Sequence, residues 1–437
     1  VGKTVGKDSA LWYKKTVTLK KDSKFRTILH FGAVDWSCKV WVNGKEAGSH
    51  AGGYDPFSFD ITELLNKNGQ QEVLIRVIDP TDDGPQPRGK QIKNPHGIWY
   101  TPVTGIWQTV WAEQVPQTYI ASVKQTPDID RQVITASATI ISPLAADKIT
   151  LQLKSGNTLV TEKEFSAGEE VELSVPSPRL WSPYDPFLYD LIYTVYRNGK
   201  KIDEVQSYLG MRKISMQKDK NGIQRMMLNN EFVFQYGPLD QGWWPDGLYT
   251  APTDAALKFD IEKTKEMGFN MIRKHVKVEP ARWYYHCDVM GMLVWQDMPS
   301  GDMGNSWEMR PGIYGKATDK KRTVESEVIF HNEWKEIIND FYNFPSIVVW
   351  VPFNEAWGQF KTQQVVEFTK RLDPSRLINA ASGGNFGPSG HIMDLHNYPE
   401  PLMPDPALFG AQQILVLGEF GGLGLPVEGH TWQDKNN

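Results

Sequence analysis

Ile347-Val-Val-Trp-Val-Pro-Phe-Asn-Glu355 runs through five consecutive apolar residues and ends on an amide and a carboxylate. An apolar run without polar alternation is the signature of a strand buried on both faces, as in a parallel sheet. The same unit recurs on either side of it. Upstream lie Asn270-Met-Ile-Arg273, a helix from Glu279 to Met290, Leu293-Val-Trp295 and a helix within Thr323 to Asp340. Downstream lie a helix from Thr362 to Arg371, then Leu377-Ile-Asn-Ala, Ile392-Met-Asp-Leu and Ile414-Leu-Val-Leu. The series starts at Phe232-Val-Phe-Gln-Tyr, followed by Thr253-Asp254. These open a helix with Leu257, Ile261, Thr264 and Met267 on one face before Gly268 ends it. Seven strands alternating with helices, and no dominant Gly-rich phosphate loop, predict an α/β region over 213–437: an eight-stranded (β/α) barrel, a TIM barrel, lacking its last unit.

The first half follows another rule. From Leu11 to about Pro116, short alternating segments such as Arg26-Thr-Ile-Leu-His-Phe and Glu72-Val-Leu-Ile-Arg-Val-Ile are separated by Asn43-Gly44, Gly52-Gly53, Asn68-Gly69 and Asp83-Gly84-Pro85. Such punctuation predicts an antiparallel β-sandwich over 1–116. A second set of strands, near Val133–Ile141, Ile149–Leu153, Glu170–Val175 and Leu188–Tyr196 with an Asn198-Gly199 turn, predicts an immunoglobulin-like sandwich over 117–212.

Composition agrees with a multidomain globular chain of 437 residues, 40% hydrophobic and 23% charged. Lys and Arg number 47 against 52 Asp and Glu, and no basic tract is present, so nucleic acid is not an expected partner. No window approaches 18 consecutive apolar residues, so no helix is expected to span a membrane. Cys38 and Cys287 are too few and too far apart for a disulfide framework or a metal site. The start at Val1-Gly2-Lys3, without an initiator Met, reads as a processed export product or a fragment; we expect a periplasmic or extracellular location over a cytoplasmic one.

In a (β/α) barrel the reactive groups stand at the C-terminal strand ends. Glu355 follows the fourth strand, and Leu415-Val-Leu-Gly418-Glu419 puts Glu419 at the end of the seventh, so closure brings both carboxylates to one mouth. Paired carboxylates about 5–5.5 Å apart suit a nucleophile and an acid/base that retain anomeric configuration, whereas about 6.5–9.5 Å suits inversion. Against this, a Glu after a strand is more often an ion-pair or loop anchor. Asn354 adds an amide suited to a sugar hydroxyl, and Gly418 and Gly421-Gly422 leave room beside Glu419. At the other strand ends stand Asp240 and Gln241, Arg273 and His275, Gln296 and Asp297, and His396, Asn397 and Tyr398, a ring suited to a polyol. Arg273 could equally be a structural ion-pair partner, and His275 or His396 a satisfied buried histidine. No spacing matches a dedicated metal site, and no cofactor is expected. Gly383-Gly384-Asn385-Phe386-Gly387 departs from a nucleotide-binding loop, and no Gly-x-Ser-x-Gly elbow occurs. Among the 16 Trp, which include Trp243, Trp244, Trp295, Trp307, Trp350 and Trp357, we expect Trp357 and one of Trp243 or Trp244 to wall the site and the rest to be core.

These motifs resemble glycoside hydrolase family 2, the β-galactosidase, β-glucuronidase and β-mannosidase family, over essentially the whole chain. The likeness lies in His30-Phe-Gly-Ala-Val-Asp-Trp, Val40-Trp-Val-Asn-Gly-Lys, Gly52-Gly-Tyr-Asp-Pro-Phe-Ser-Phe-Asp-Ile-Thr, Gly105-Ile-Trp-Gln-Thr-Val-Trp, Gly268-Phe-Asn-Met-Ile-Arg273, Asn354-Glu355 and Gly418-Glu419. The resemblance implies a jelly-roll sugar-binding domain, the immunoglobulin-like domain and the barrel, and a retaining exo-β-glycosidase acting on an oligosaccharide or glycoside. It implies Glu355 as acid/base, Glu419 as nucleophile, Asn354 on the sugar 2-hydroxyl and Tyr398 on the nucleophile. The familiar Arg-x-Ser-His-Tyr-Pro run is here Arg273-Lys274-His275-Val276-Lys277, and Leu239-Asp240-Gln241 replaces an Asn-x-His. Among sugars β-galactoside is the first expectation, with β-glucuronide and β-mannoside as alternatives. A non-catalytic carbohydrate-binding protein or an inactive fragment is the alternative of another class. A homo-oligomer is compatible with all of these.

Overall fold

The computed structural model describes residues 5–303, 319–384 and 387–425. The first sandwich packs a four-stranded antiparallel sheet, ordered Leu11–Thr18, Gln70–Ile78, Ser37–Val42, Lys45–Ala51, on a three-stranded one, ordered Phe57–Asp60, Phe25–Phe31, Val110–Pro116. Period-2 alternation does the work: along Gln70–Ile78 every second residue, Gln71, Val73, Ile75 and Val77, is buried. The second sandwich packs Tyr119–Asp128, Val133–Ile141 and Glu170–Ser174 against Thr158–Phe165, Asp147–Ser155, Tyr189–Arg197 and Lys200–Leu209 around Ile134, Leu151, Leu191 and Val195.

The last part carries seven parallel strands: β1 (Leu239–Asp240), β2 (Met271–Lys274), β3 (Leu293–Asp297), β4 (Ile347–Val351), β5 (Leu377–Ile378), β6 (Ile392–His396) and β7 (Ile414–Glu419). β1 to β5 pair in chain order, β6 pairs with β7, and a parallel bridge from Asn379 to Ile392 links the two groups. Sequential order without reversal is barrel topology; a doubly wound sheet would switch direction. Between strands lie α1 (Asp254–Glu266), α2 (Ala281–Met290), α3 (Val324–Phe341) and α4 (Thr362–Leu372). Thr253 and Thr323 cap α1 and α3 by accepting from the amides of Ala256 and Ser326, both at 3.1 Å.

The first barrel strand sits later than expected. Glu231–Phe232 pairs antiparallel with Gln224–Leu228, and Phe234 and Tyr236 are exposed. The chain then lies along β2 through the Tyr236, Pro238 and Asp240 carbonyls, which accept from the amides of Asn270, Arg273 and His275. Pro238 has no N–H to return, so the regular ladder begins only at Leu239.

Ile214–Lys218 and Gln224–Leu228 form a hairpin whose Ile214, Met226 and Leu228 join Met271, Leu293, Leu377, Ile392 and Ile414, the first residues of five barrel strands. The hairpin therefore closes the N-terminal end of the barrel. The opposite end is polar.

Candidate active site

β4 delivers Asn354 and Glu355 to that polar end. The backbone at Glu355 and Ala356 is left-handed, with φ of 48° and 61°, a conformation non-glycine residues rarely hold without compensation. The compensation is visible: the Glu355 amide donates to Ser382 O at 2.6 Å and the Trp357 amide to Asn354 O at 2.8 Å. Beside β6, β7 delivers Glu419. Gly418 is required there because a Cβ would lie 2.0 Å from Asp394 Oδ1. One oxygen of Glu355, one of Glu419 and a ring nitrogen of His396 all lie within 4.8 Å of one another.

Arg273, at the end of β2, organises the mouth. Its Nε and Nη2 grip Asp297 at 3.0 and 2.8 Å, Nη1 donates to Glu419 Oε1 at 3.0 Å and Nη2 to Asn354 Oδ1 at 2.9 Å. Burial disfavours the guanidinium's charge, but Asp297 and Glu419 outweigh it and hold its pKa above the usual value. The Tyr398 hydroxyl donates to Glu419 Oε2 at 2.5 Å. Burial alone would push Glu419 up; Arg273, the two histidines and Tyr398 hold it below the ordinary carboxylate range.

His396 Nδ1 stands 2.8 Å from Glu355 Oε1 and 3.4 Å from Glu419 Oε2. Its Nε2 meets Ser382 Oγ at 2.9 Å, and that hydroxyl spends its one proton on Asp394 Oδ2 at 2.6 Å, so it accepts from the ring. Both ring nitrogens thus face acceptors. Burial works against the imidazolium, yet Glu355, Asp394 and Glu419 raise its pKa above the ordinary histidine value. His275 is the opposite case: burial, with the charges of Lys90 and Arg273, pushes it well below that value. Its Nδ1 is 3.1 Å from Asp297 Oδ2, and its buried Nε2 has no partner among the described residues.

The structure thus brings together Glu355, Glu419, Asn354, Tyr398, Arg273, His275, Asp297 and His396. Asp240 is engaged elsewhere, accepting from Lys274 Nζ at 2.6 Å and the Gly242 amide at 2.7 Å. Gln296 is likewise taken up by Tyr284 and the Lys277 and Asp297 carbonyls. Trp357 is buried, with Arg88 5.1 Å over its ring and Trp99 edge-on at 5.2 Å. Trp243 stacks on Tyr100 at 4.5 Å. Trp295 and Trp350 are core, and Trp307 lies outside the described residues. Of the groups around the pair, Ser382, Asp394 and Lys90 had not been singled out from the sequence. Asp394 was readable as the one acid inside an apolar strand; a serine and a lysine in loops carry no such signal. The Glu355, His396 and Glu419 donors are the described cluster that could hold a metal ion. Both Glu419 oxygens already accept from Arg273 and Tyr398, so a dication there would compete with an arginine.

Three family descriptions match the chain: Glycosyl hydrolases family 2, sugar binding domain, over residues 3–110; Glycosyl hydrolases family 2 over 118–212; and Glycosyl hydrolases family 2, TIM barrel domain, over 251–396. A putative β-glucuronidase of Formosa agariphila is 30% identical over 390 residues, covering 85% of this chain and 34% of that protein. A β-galactosidase of Bacteroides ovatus is 25% identical over 477 residues, covering 93% and 52%. The solved β-D-glucuronidase of Dictyoglomus thermophilum superposes with a TM-score of 0.73 at 20% identity, over 89% of this chain and 69% of that one, and so shares the fold. The chain spans between a third and about half of the length of the curated relatives it matches. With three successive domains each matching its counterpart in order, the chain belongs to glycosyl hydrolase family 2.

Proposed function

We propose that the full-length protein is a retaining exo-β-glycosidase. The observation that carries this reading is the approach of the Glu355 and Glu419 oxygens to within 4.8 Å, nearer the spacing of a direct displacement than the wider gap that accommodates a water. Glu419, ionised against Arg273, attacks the anomeric carbon while Glu355 gives a proton to the departing glycosidic oxygen. Glu355 then takes a proton from water, and the hydroxide formed breaks the sugar–Glu419 ester. Asn354, oriented by Arg273, lies beside Glu355 to receive a sugar hydroxyl, and Tyr398 steadies the attacking carboxylate.

β-Galactoside is the sugar expected from the sequence. The β-glucuronide reading gains support from the Formosa agariphila relatives, two named putative β-glucuronidases and one a β-glucuronidase. The test is nitrophenol release by the full-length gene product from β-galactoside, β-glucuronide, β-mannoside and β-glucoside. Glu419→Ala should lower turnover of the accepted substrate by at least about a thousandfold. Near wild-type turnover in that variant would end the proposal. Sugar binding without turnover of any substrate would favour a carbohydrate-binding protein.

A further inference from the structure

The loop Gln86-Pro-Arg-Gly-Lys90 belongs to the first sandwich but is fixed to the barrel mouth. The Arg88 amide donates to Gly301 O at 3.3 Å and the Gly301 amide returns to Arg88 O at 2.9 Å, just beyond the end of β3. The Arg88 guanidinium donates to Asp302 O and Gln91 O, and the Gly89 amide to the Tyr54 hydroxyl at 2.9 Å. A Cβ at Gly89 would meet the Tyr249 hydroxyl at 2.3 Å and Val276 O at 2.8 Å, so the loop lies directly on the chain leaving β2. The Tyr100 amide closes on Lys90 O at 2.8 Å.

This clamp holds the half-buried Lys90 close to the catalytic pair. Its charge acts on Glu419, Glu355, Arg273, Asp297 and His275, which stand at the ends of β2, β3, β4 and β7. The other mouth cations are matched: Arg273 to Asp297 and Glu419, His396 to Glu355. Lys274 and Lys277 are matched to Glu279. Lys90 has no carboxylate at ion-pair distance among the described residues. A cation withdrawn from water without a partner is unfavourable, and an anion arriving with a ligand relieves it. Lys90 stands near enough to the pair to share its field without forming an ion pair with either carboxylate among the described residues.

Resting on the glycosidase reading, we propose that Lys90 is a specificity-determining residue for an anionic substituent of the substrate sugar, a uronate carboxylate or a sulfate ester. The sandwich domain thereby supplies one wall of the barrel's site.

The test compares wild type, Lys90→Met and Lys90→Arg in the full-length protein. The substrates are nitrophenyl β-D-glucuronide, nitrophenyl β-D-galactoside and its 6-sulfate, with titration by D-glucuronate alongside. We expect kcat/KM for one anionic substrate, relative to the neutral one, to fall about ten- to a hundredfold in Lys90→Met, mainly through KM, and to recover in Lys90→Arg. The substrate that shows the effect distinguishes carboxylate from sulfate. An equal fall on all substrates would mean that Lys90 acts through the catalytic pair or the fold, and would overturn the proposal. Wild-type turnover of the neutral glycoside alone would overturn it while leaving the glycosidase reading intact. Were no substrate turned over, the glycosidase reading would fail, and the titration decides: D-glucuronate binding lost in Lys90→Met upholds the anion site, and no binding by wild type removes it.

Discussion

Two groups of buried charges sit on the barrel and are built on opposite plans. At the mouth, Asp297 and Glu419 face Arg273, and Glu355 faces His396. On α3, where the first sandwich docks, acids face acids. Glu333 Oε1 accepts from the Gly53 and Tyr54 amides at 2.6 and 3.0 Å while its charge is opposed by Asp55, and Asp35 lies near Asp79 and Glu333. His50, 3.2 Å from Asp55, is the one basic side chain paired with these acids among the described residues. Burial and neighbouring acids push Glu333 and Asp35 well above the ordinary range, and Asp340 to about 8. The contrast teaches that depth alone does not decide ionisation. An arginine holds one carboxylate ready to attack, and where no such cation stands Glu333, Asp35 and Asp340 hold their protons more tightly.

Removing the arginine has the largest effect. Arg273→Met leaves Asp297 and Glu419 buried without their cation, a change that costs about 3–5 kcal/mol and should also abolish turnover. A thermal melt of the full-length variant checks it; a melting temperature within a degree of wild type would show that the mouth does not depend on the pairing. Next comes Gly418→Ala. The added methyl must displace Asp394, which holds Ser382 and Asn379 at 2.6 and 2.7 Å and through Ser382 orients His396. We expect about 1–3 kcal/mol of destabilisation and a kcat loss larger than any rise in KM. Unchanged kinetics would mean that the Asp394–Ser382–His396 chain does not serve the pair.

How far such detail could be read from the sequence depends on where the signal lay. Glu355 and Glu419 were legible because each ends an apolar run, and a barrel turns strand ends into one mouth. Arg273, Asp297 and His396 were legible by the same rule, although the alternative of a structural ion pair for Arg273 was also right in part: the residue grips Asp297 and Glu419 at once. Strands such as Thr158–Phe165 were illegible because the sheet edge exposes nearly all of it and no alternation survives. The first barrel strand was misplaced onto Phe232–Tyr236, whose aromatics look like core but stand in solvent. Lys90 was invisible for a different reason: it reaches the mouth from another domain, and only docking of Arg88 on Gly301 reveals it.

The smallest effect belongs to the seam. Glu333 and Asp35 have raised pKa values in the fold, so the native state keeps protons that the unfolded chain releases near pH 4. Their stabilisation is complete below that pH and is lost as pH rises through the folded values, a window that for Asp340 closes near 8. The melting temperature should therefore fall by a few degrees between pH 5 and pH 8. Glu333→Gln keeps an oxygen to accept from Gly53 and Tyr54 but cannot ionise, so its melting temperature should match wild type near pH 5 and exceed it at pH 8. A variant curve parallel to wild type throughout would place the proton elsewhere in the seam, on Asp35 or Asp340. A wild-type curve that rises with pH would show the acids to be ionised and matched, as at the mouth, and the difference between the two regions would disappear.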